Sequence, residues 1–296
     1  MTRSDLGGRL ALLLAAMIWG SAFFVMKNAV DVIPTWMLLG IRFTMGAGVL
    51  ALLFCRRLRH LRRSTWLRGA ALGLMLCAAY GVQTFGLMET TPGKNAFLTA
   101  VYCILVPFLN WAVCGKRPTA YNALAACLCL GGVGLVSLTG DFSMGRGDLL
   151  TLVSGDIYAA HILALARFSQ GEDAGLLTLT QFAFAALMAW ALSLAAETPP
   201  AALPADALGE LAYLGIFSTA VALLMQSVGQ KRTPPAPAAI LLSLESVFGV
   251  LFSVLFYGEV VTPRLGAGFA LIFLSVVVSE TQLSFLRRRS SAPQTS

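Results

Sequence analysis

The chain has 296 residues, 57% of them apolar and only 12% charged, about half the charge that a soluble domain carries. Much of its +7 net charge lies in Arg56, Arg57, Arg59, Arg62, Arg63 and Arg68, between two apolar runs, and in Arg287, Arg288 and Arg289. That distribution fits membrane loops and argues against a nucleic-acid surface. The six cysteines form no CxxC pair and the two histidines stand apart, so neither a disulfide framework nor a metal site is expected, and no cofactor.

In chain order, windows of about 19 residues predict spans at 10–28, 35–55, 69–88, 95–114 and 121–139, then at 148–167, 176–195, 208–229, 237–256 and 264–284. The first run holds Trp19, ends at Lys27 and has no small-residue cleavage site, so it reads as an uncleaved span rather than a signal peptide. Short turn-like stretches connect the spans: Asp31-Val-Ile-Pro34, Thr91-Pro-Gly-Lys94, Gly140-Asp-Phe-Ser143, Thr198-Pro-Pro200 and Thr233-Pro-Pro235. With ten spans, sixteen of the basic residues fall at the end that carries both termini. Only Lys27, Lys94, Arg146 and Arg264 fall at the other, and Arg42 lies inside a span. This asymmetry places both termini in the cytoplasm.

An internal repeat runs at a constant offset of 143 residues from 83–119 to 226–262: Gln83 and Gly86 match Gln226 and Gly229, Thr90 matches Thr233, Pro92 matches Pro235, Gly115 matches Gly258 and Thr119 matches Thr262. Each copy holds five spans, an odd number, so the second enters the membrane upside down. The expected fold class is therefore all-α integral membrane, ten transmembrane helices in two inverted five-helix repeats. Residues 1–140 form the first repeat, 141–286 the second and 287–296 a cytoplasmic tail. Inverted repeats serve secondary transporters, whose site near the midplane must face either side in turn. The glycine clusters lie within spans and lack the Lys-Ser/Thr of a P-loop, which reads as close helix packing and not nucleotide binding.

Ionisable residues inside spans are costly and should face a cavity or a partner. Arg42 is either an anchor for an anionic group of a substrate, a structural ion-pair partner of Asp156 or Glu245, or a side chain reaching the interface. Glu245 is a proton-coupling or cation-binding carboxylate, the buried partner of Arg42, or a group that satisfies the backbone. Asp156 reads as structural. His161 shares a helix face with Tyr158 and is either a second candidate for proton coupling or a lone histidine packed in the bundle. Gln83 and Gln226, equivalent in the two copies, are polar at depth. Trp19, Tyr80 and Tyr102 lie mid-span, where an anchoring role fails. Trp111 is a weaker member of that group, whereas Trp36 and Trp66 sit at span ends as interfacial anchors. The candidate substrate-binding set is thus Trp19, Arg42, Tyr80, Gln83, Tyr102, Gln226 and Glu245. No catalytic residues are expected, because no clustered carboxylates or histidines occur in the loops.

Met17-Ile-Trp-Gly-Ser21, Arg42 and the stretch Ser243-Leu-Glu-Ser-Val-Phe248 leading to Tyr257-Gly-Glu259 and Thr262, in this order over residues 9–284, resemble the drug/metabolite transporter superfamily, EamA type. The resemblance implies a bacterial inner-membrane carrier exporting amino acids or related small metabolites. It also implies a central cavity bordered by both halves, with the last helix of each half peripheral. Members often close the fourth span with a glutamate; here Lys116 stands at that place and only the second copy keeps Glu259. The expected partners are a small-molecule substrate and membrane lipid, without nucleic acid, in a monomer or weak homodimer. A lipid or lipid-linked substrate flippase on the same fold is the alternative.

Overall fold

A computed structural model describes residues 3–115, 117–138, 144–200, 202–233 and 235–283. The Gly140–Ser143 connection, Lys116, Arg287–Arg289 and the tail lie outside them. Among the described residues, ten helices are long and apolar enough to cross a membrane: α1 (Leu6–Val30), α2 (Thr35–Leu53), α3 (Arg63–Met88), α4 (Pro92–Cys114), α5 (Ala120–Ser137), α6 (Arg146–Phe168), α7 (Ala174–Ala196), α8 (Ala207–Gln230), α9 (Ile240–Tyr257) and α10 (Pro263–Thr281). The protein is an all-α, multi-pass membrane protein. The main departure from the sequence reading is α3, which begins at Arg63, so Arg63 and Arg68 belong to its first turns and not to a loop.

Local chemistry sets the helix ends. Thr91 and Thr119 cap the starts of α4 and α5 through their hydroxyls, and Asn122 completes a capping box with Thr119. Asp173 caps α7. The carboxylate of Glu197 accepts from the backbone N–H groups of Trp36 and Met37 at 2.7 and 2.9 Å, closing the start of α2 from across the bundle. Three spans depart from regular α-helix. α4 breaks between Thr99 and Tyr102, α8 widens into a π-helix over Tyr213–Val221, and α9 does so over Ser253–Tyr257.

The inverted repeat is visible in the packing. α3 meets α6 where Gly86 lies against Gly147 and Thr151, and α8 meets α1 where Gly229 lies against Gly8 and Leu12. Gly229 and Thr151 are the offset-143 equivalents of Gly86 and Gly8. Likewise α1 packs on α9 as α6 packs on α4, and α2 packs on α8 as α7 packs on α3. The halves are therefore interleaved: a bundle of α1, α8 and α9 mirrors one of α6, α3 and α4. The last helices, α5 and α10, pack on each other through Gly132 and Gly268.

At the termini end, Glu172 accepts from Thr65 Oγ1 at 2.6 Å and pairs with Arg68 at 3.2 Å, tying the α6–α7 connection to α3. The Thr65 hydrogen bond, then one from Ser64, favours the charged carboxylate and holds its pKa below the ordinary 4.5. A depressed folded pKa contributes stability that is present above the unfolded value and lost as pH falls through the folded one. Below about pH 4.5, the thermal midpoint of the wild type should therefore fall more steeply than that of Glu172→Gln.

Candidate functional site

A central cavity of about 210 Å³ is lined from α1, α2, α3, α4, α6, α8 and α9. Trp19, Arg42, Tyr80, Gln83, Tyr102, Gln226 and Glu245, widely separated in sequence, all stand on its wall. Three pairs of wall residues are offset-143 equivalents: Trp19 and Ile162, Gln83 and Gln226, Tyr102 and Glu245. Both copies of the repeat thus contribute equivalent positions to the wall. α5 and α10 contribute no wall residue.

The π-helical turn of α8 shapes the Arg42 side. A π turn shifts the backbone register, so carbonyls and side chains are presented away from their α-helical positions. Arg42 Nε donates to Thr219 Oγ1 at 3.0 Å and an Nη to Ser218 Oγ at 3.0 Å. Trp19 Nε1 donates to the Ser218 carbonyl at 2.8 Å. The guanidinium also lies 4.7 Å from the Tyr80 ring centroid. A guanidinium has five N–H donors, and these contacts engage only two.

The expected ion pair of Arg42 with Asp156 or Glu245 is not formed. Among the described residues the ion pairs within 4 Å are Arg57–Asp173, Arg68–Glu172, Lys94–Asp148 and Arg146–Glu89, all at span ends. Nor does Arg42 reach the interface, being 4% exposed. Asp156 is exposed. It lies two positions before the wall residue Tyr158, which turns it to the opposite face of α6, and it forms no ion pair among the described residues. His161 is off the wall as well; it is buried and hydrogen-bonded to Gln181 at 3.0 Å. Trp111 is 48% exposed on the outside of α4. Trp36 is not a free anchor: its ring lies against Gly81 and Phe85.

An aromatic and amide network joins the wall. Tyr80, Tyr158 and Tyr102 follow one another with ring centroids 5.5 and 6.2 Å apart. Tyr158 donates to Gln83 Oε1 at 3.0 Å, and Gln83 Nε2 donates to Thr99 Oγ1 at 2.9 Å. Wall residues that the sequence reading missed include Asn95, Thr99, Ser218 and Ile162. Ile162 was open to discovery by adding 143 to Trp19; Ser218 was not, because nothing in its neighbourhood announces a π turn.

Toward the end opposite the termini, the wall residues Ala22, Met26, Thr84, Leu87 and Asn95 are all buried. Two contacts close that end. Lys27 Nζ donates to the Leu87 and Met88 carbonyls at 2.7 and 2.9 Å, a cation on the C-terminus of α3. Glu259, just beyond α9, accepts from Thr91 Oγ1 at 2.5 Å and from Gly93 N–H at 3.0 Å, an anion on the N-terminus of α4. Toward the termini, Ile162 and Gln226 are only partly buried, and α4 beyond its break leaves α9 for α6 and α10.

This interleaved ten-span bundle matches the EamA-like transporter family model over residues 6–138 and again over 145–281. The chain belongs to the EamA-like transporter family. An "Uncharacterized transporter" of Archaeoglobus fulgidus is 31% identical over 273 residues, 91% of this chain and 84% of that one. "Uncharacterized transporter YwfM" of Bacillus subtilis is 26% identical over 281 residues, 91% of this chain and 92% of that one. A solved crystal structure, 18% identical, superposes with a TM-score of 0.66 over 96% of this chain and 99% of the other. At that identity the likeness is one of fold. For this EamA-like chain, the two family matches fall on the two copies of the repeat.

Proposed function

We propose that this EamA-like protein is a secondary-type carrier that exports amino acids or related small metabolites by alternating access. The observation that carries the reading is the wall itself: one guanidinium (Arg42) and one carboxylate (Glu245) share a cavity with Trp19, Tyr80, Tyr102 and Tyr158. That set complements a zwitterion with an apolar or aromatic side chain. The volume favours a small solute over the lipid-flippase alternative, since about 210 Å³ is below the roughly 300 Å³ at which pockets for drug-sized ligands begin. Alternating access would rock the α1–α8–α9 bundle against its inverted image, α6–α3–α4, about the site. The working unit is a monomer or weak homodimer in a bacterial inner membrane with both termini cytoplasmic, the orientation that the charge asymmetry supports.

Counterflow in proteoliposomes, with labelled amino acids and small metabolites, tests the reading. Exchange of one solute class above empty liposomes is the expected result. No exchange across the panel by folded protein, together with scrambling of a labelled lipid, would replace it with the flippase. Glu245 supports a coupling role through its place on the wall. Glu245→Gln should retain counterflow while abolishing uphill transport driven by a pH gradient; unchanged uphill transport would make the protein's coupling independent of this carboxylate.

A further inference from the structure

Asn95 lies on the cavity wall, fully buried in the first half of α4. Its Nδ2 donates to Thr151 Oγ1 at 2.8 Å and to the Gln83 carbonyl at 3.3 Å. These partners fix which way the amide faces. The Thr151 hydroxyl spends its proton on the Gly147 carbonyl at 2.7 Å, so toward Asn95 it can only accept, and a peptide carbonyl has no proton to give. A flipped amide would set its oxygen against two acceptors. Asn95 Oδ1 is therefore left buried and without a hydrogen-bond partner, an arrangement that costs stability unless something serves it. Gln83 and Thr99, its polar neighbours on the wall, are already committed to each other and to Tyr158.

We propose that Asn95 Oδ1, covered in this form, is uncovered as the carrier changes state and there receives an N–H or O–H donor of the transported solute, which makes such a donor a condition of binding. This rests on the carrier reading above and names a chemical requirement of its site. Arg42 is a donor, and Glu245 attracts positive charge and can itself accept from an ammonium. Asn95 adds a neutral acceptor on the same wall, and its share of the selectivity is the part lost when Asn95 is replaced. A site built around a buried hydrogen bond rejects analogues that leave the bond unmade more strongly than an apolar pocket rejects a missing methylene.

The test compares three probes on the purified full chain: L-phenylalanine, its N,N,N-trimethyl betaine and 3-phenyllactic acid. The betaine keeps the positive charge but has no N–H, and the lactate replaces the ammonium by a hydroxyl. Binding is read by the probe-dependent shift of the thermal unfolding midpoint, and transport by counterflow. The wild type should bind a donor-bearing probe, ammonium or hydroxyl, on the order of 10-fold tighter than the betaine. Asn95→Leu should bring that ratio to about 2 or less, with a raised KM and little change in kcat. Equal or absent binding of donor-bearing and betaine probes in the wild type overturns the proposal, and this arm needs no variant to fold. An undiminished ratio in folded Asn95→Leu also overturns it. Donor-selective binding without counterflow supports Asn95 while failing the carrier reading; counterflow without donor selectivity does the reverse.

Discussion

Replacing Arg42 by alanine is expected to lower exchange by on the order of 100-fold while folded protein is recovered at near wild-type stability. Charge-assisted hydrogen bonds to a guanidinium are worth about 1.5–3 kcal/mol each, and about 1.4 kcal/mol is a factor of ten. Two such bonds lost to a substrate carboxylate account for the effect. The fold should survive because of who the protein partners are. Removing one member of a buried ion pair strands the other charge and costs about 3–5 kcal/mol. Here the partners left behind are the hydroxyls of Ser218 and Thr219, and Thr219 Oγ1 keeps its bond to the Leu214 carbonyl at 2.8 Å. Arg42→Lys should recover little activity, since an ammonium cannot reach both hydroxyls and a carboxylate in one plane. Counterflow with a thermal unfolding midpoint separates the outcomes: collapse of folded Arg42→Ala would assign the guanidinium to the fold.

The second large effect is expected at Gly20, where a side chain has no room. A Cβ there would lie 2.5 Å from Phe248 Cβ, 2.8 Å from the Glu245 carbonyl oxygen and 2.9 Å from the Gly249 nitrogen. Two of these three are backbone atoms of α9, which cannot rotate aside, and Gly249 itself lies against Ala96 of α4. Overpacking of this kind costs about 1–3 kcal/mol even where side chains can yield. Gly20→Val is expected to exceed that range, with little monodisperse protein surviving mild heating before size exclusion. Gly20→Ala should fall between it and the wild type. A wild-type profile for Gly20→Val would mean that α1 and α9 separate freely.

The span pattern and the inverted repeat were legible because both rest on long-range regularities, hydropathy and a constant offset, that local irregularity does not erase. The seven candidate wall residues came from asking which polar or aromatic side chains lie too deep to be anchors, and depth is readable from span ends. What depth cannot give is direction around the helix. Asp156 shows that failure: it is mid-span in α6 yet exposed on the face opposite Tyr158. His161, also deep, is buried against Gln181 and off the wall. The missing partner of Arg42 has a different cause. Opposite charges inside spans suggest an ion pair, whereas the π turn of α8 delivers two hydroxyls instead. That register shift leaves no mark in Tyr213-Leu-Gly-Ile-Phe-Ser218, an ordinary apolar run. Asn95 was missed because it looks like a turn residue after Thr91-Pro-Gly-Lys94, and only its place in the packed structure reveals an acceptor left over.

Under the alternating access proposed above, the contacts of Lys27 and Glu259 would favour one resting pose. In an ideally symmetric inverted pair, the two access states would be equally populated. Here four hydrogen bonds hold one mouth shut, while the offset-143 counterparts of Lys27 and Glu259 are Gln170 and Lys116, so the opposite mouth cannot be fastened by the same chemistry. A solute arriving at the fastened side meets a binding-competent form only in proportion to its small population, which weakens apparent affinity by that fraction. Half-saturating concentrations measured from the two faces of one oriented preparation should therefore differ, with the weaker value on the Glu259 side. Glu259→Ala should draw the two toward each other, and turnover that was slow in releasing this mouth should quicken.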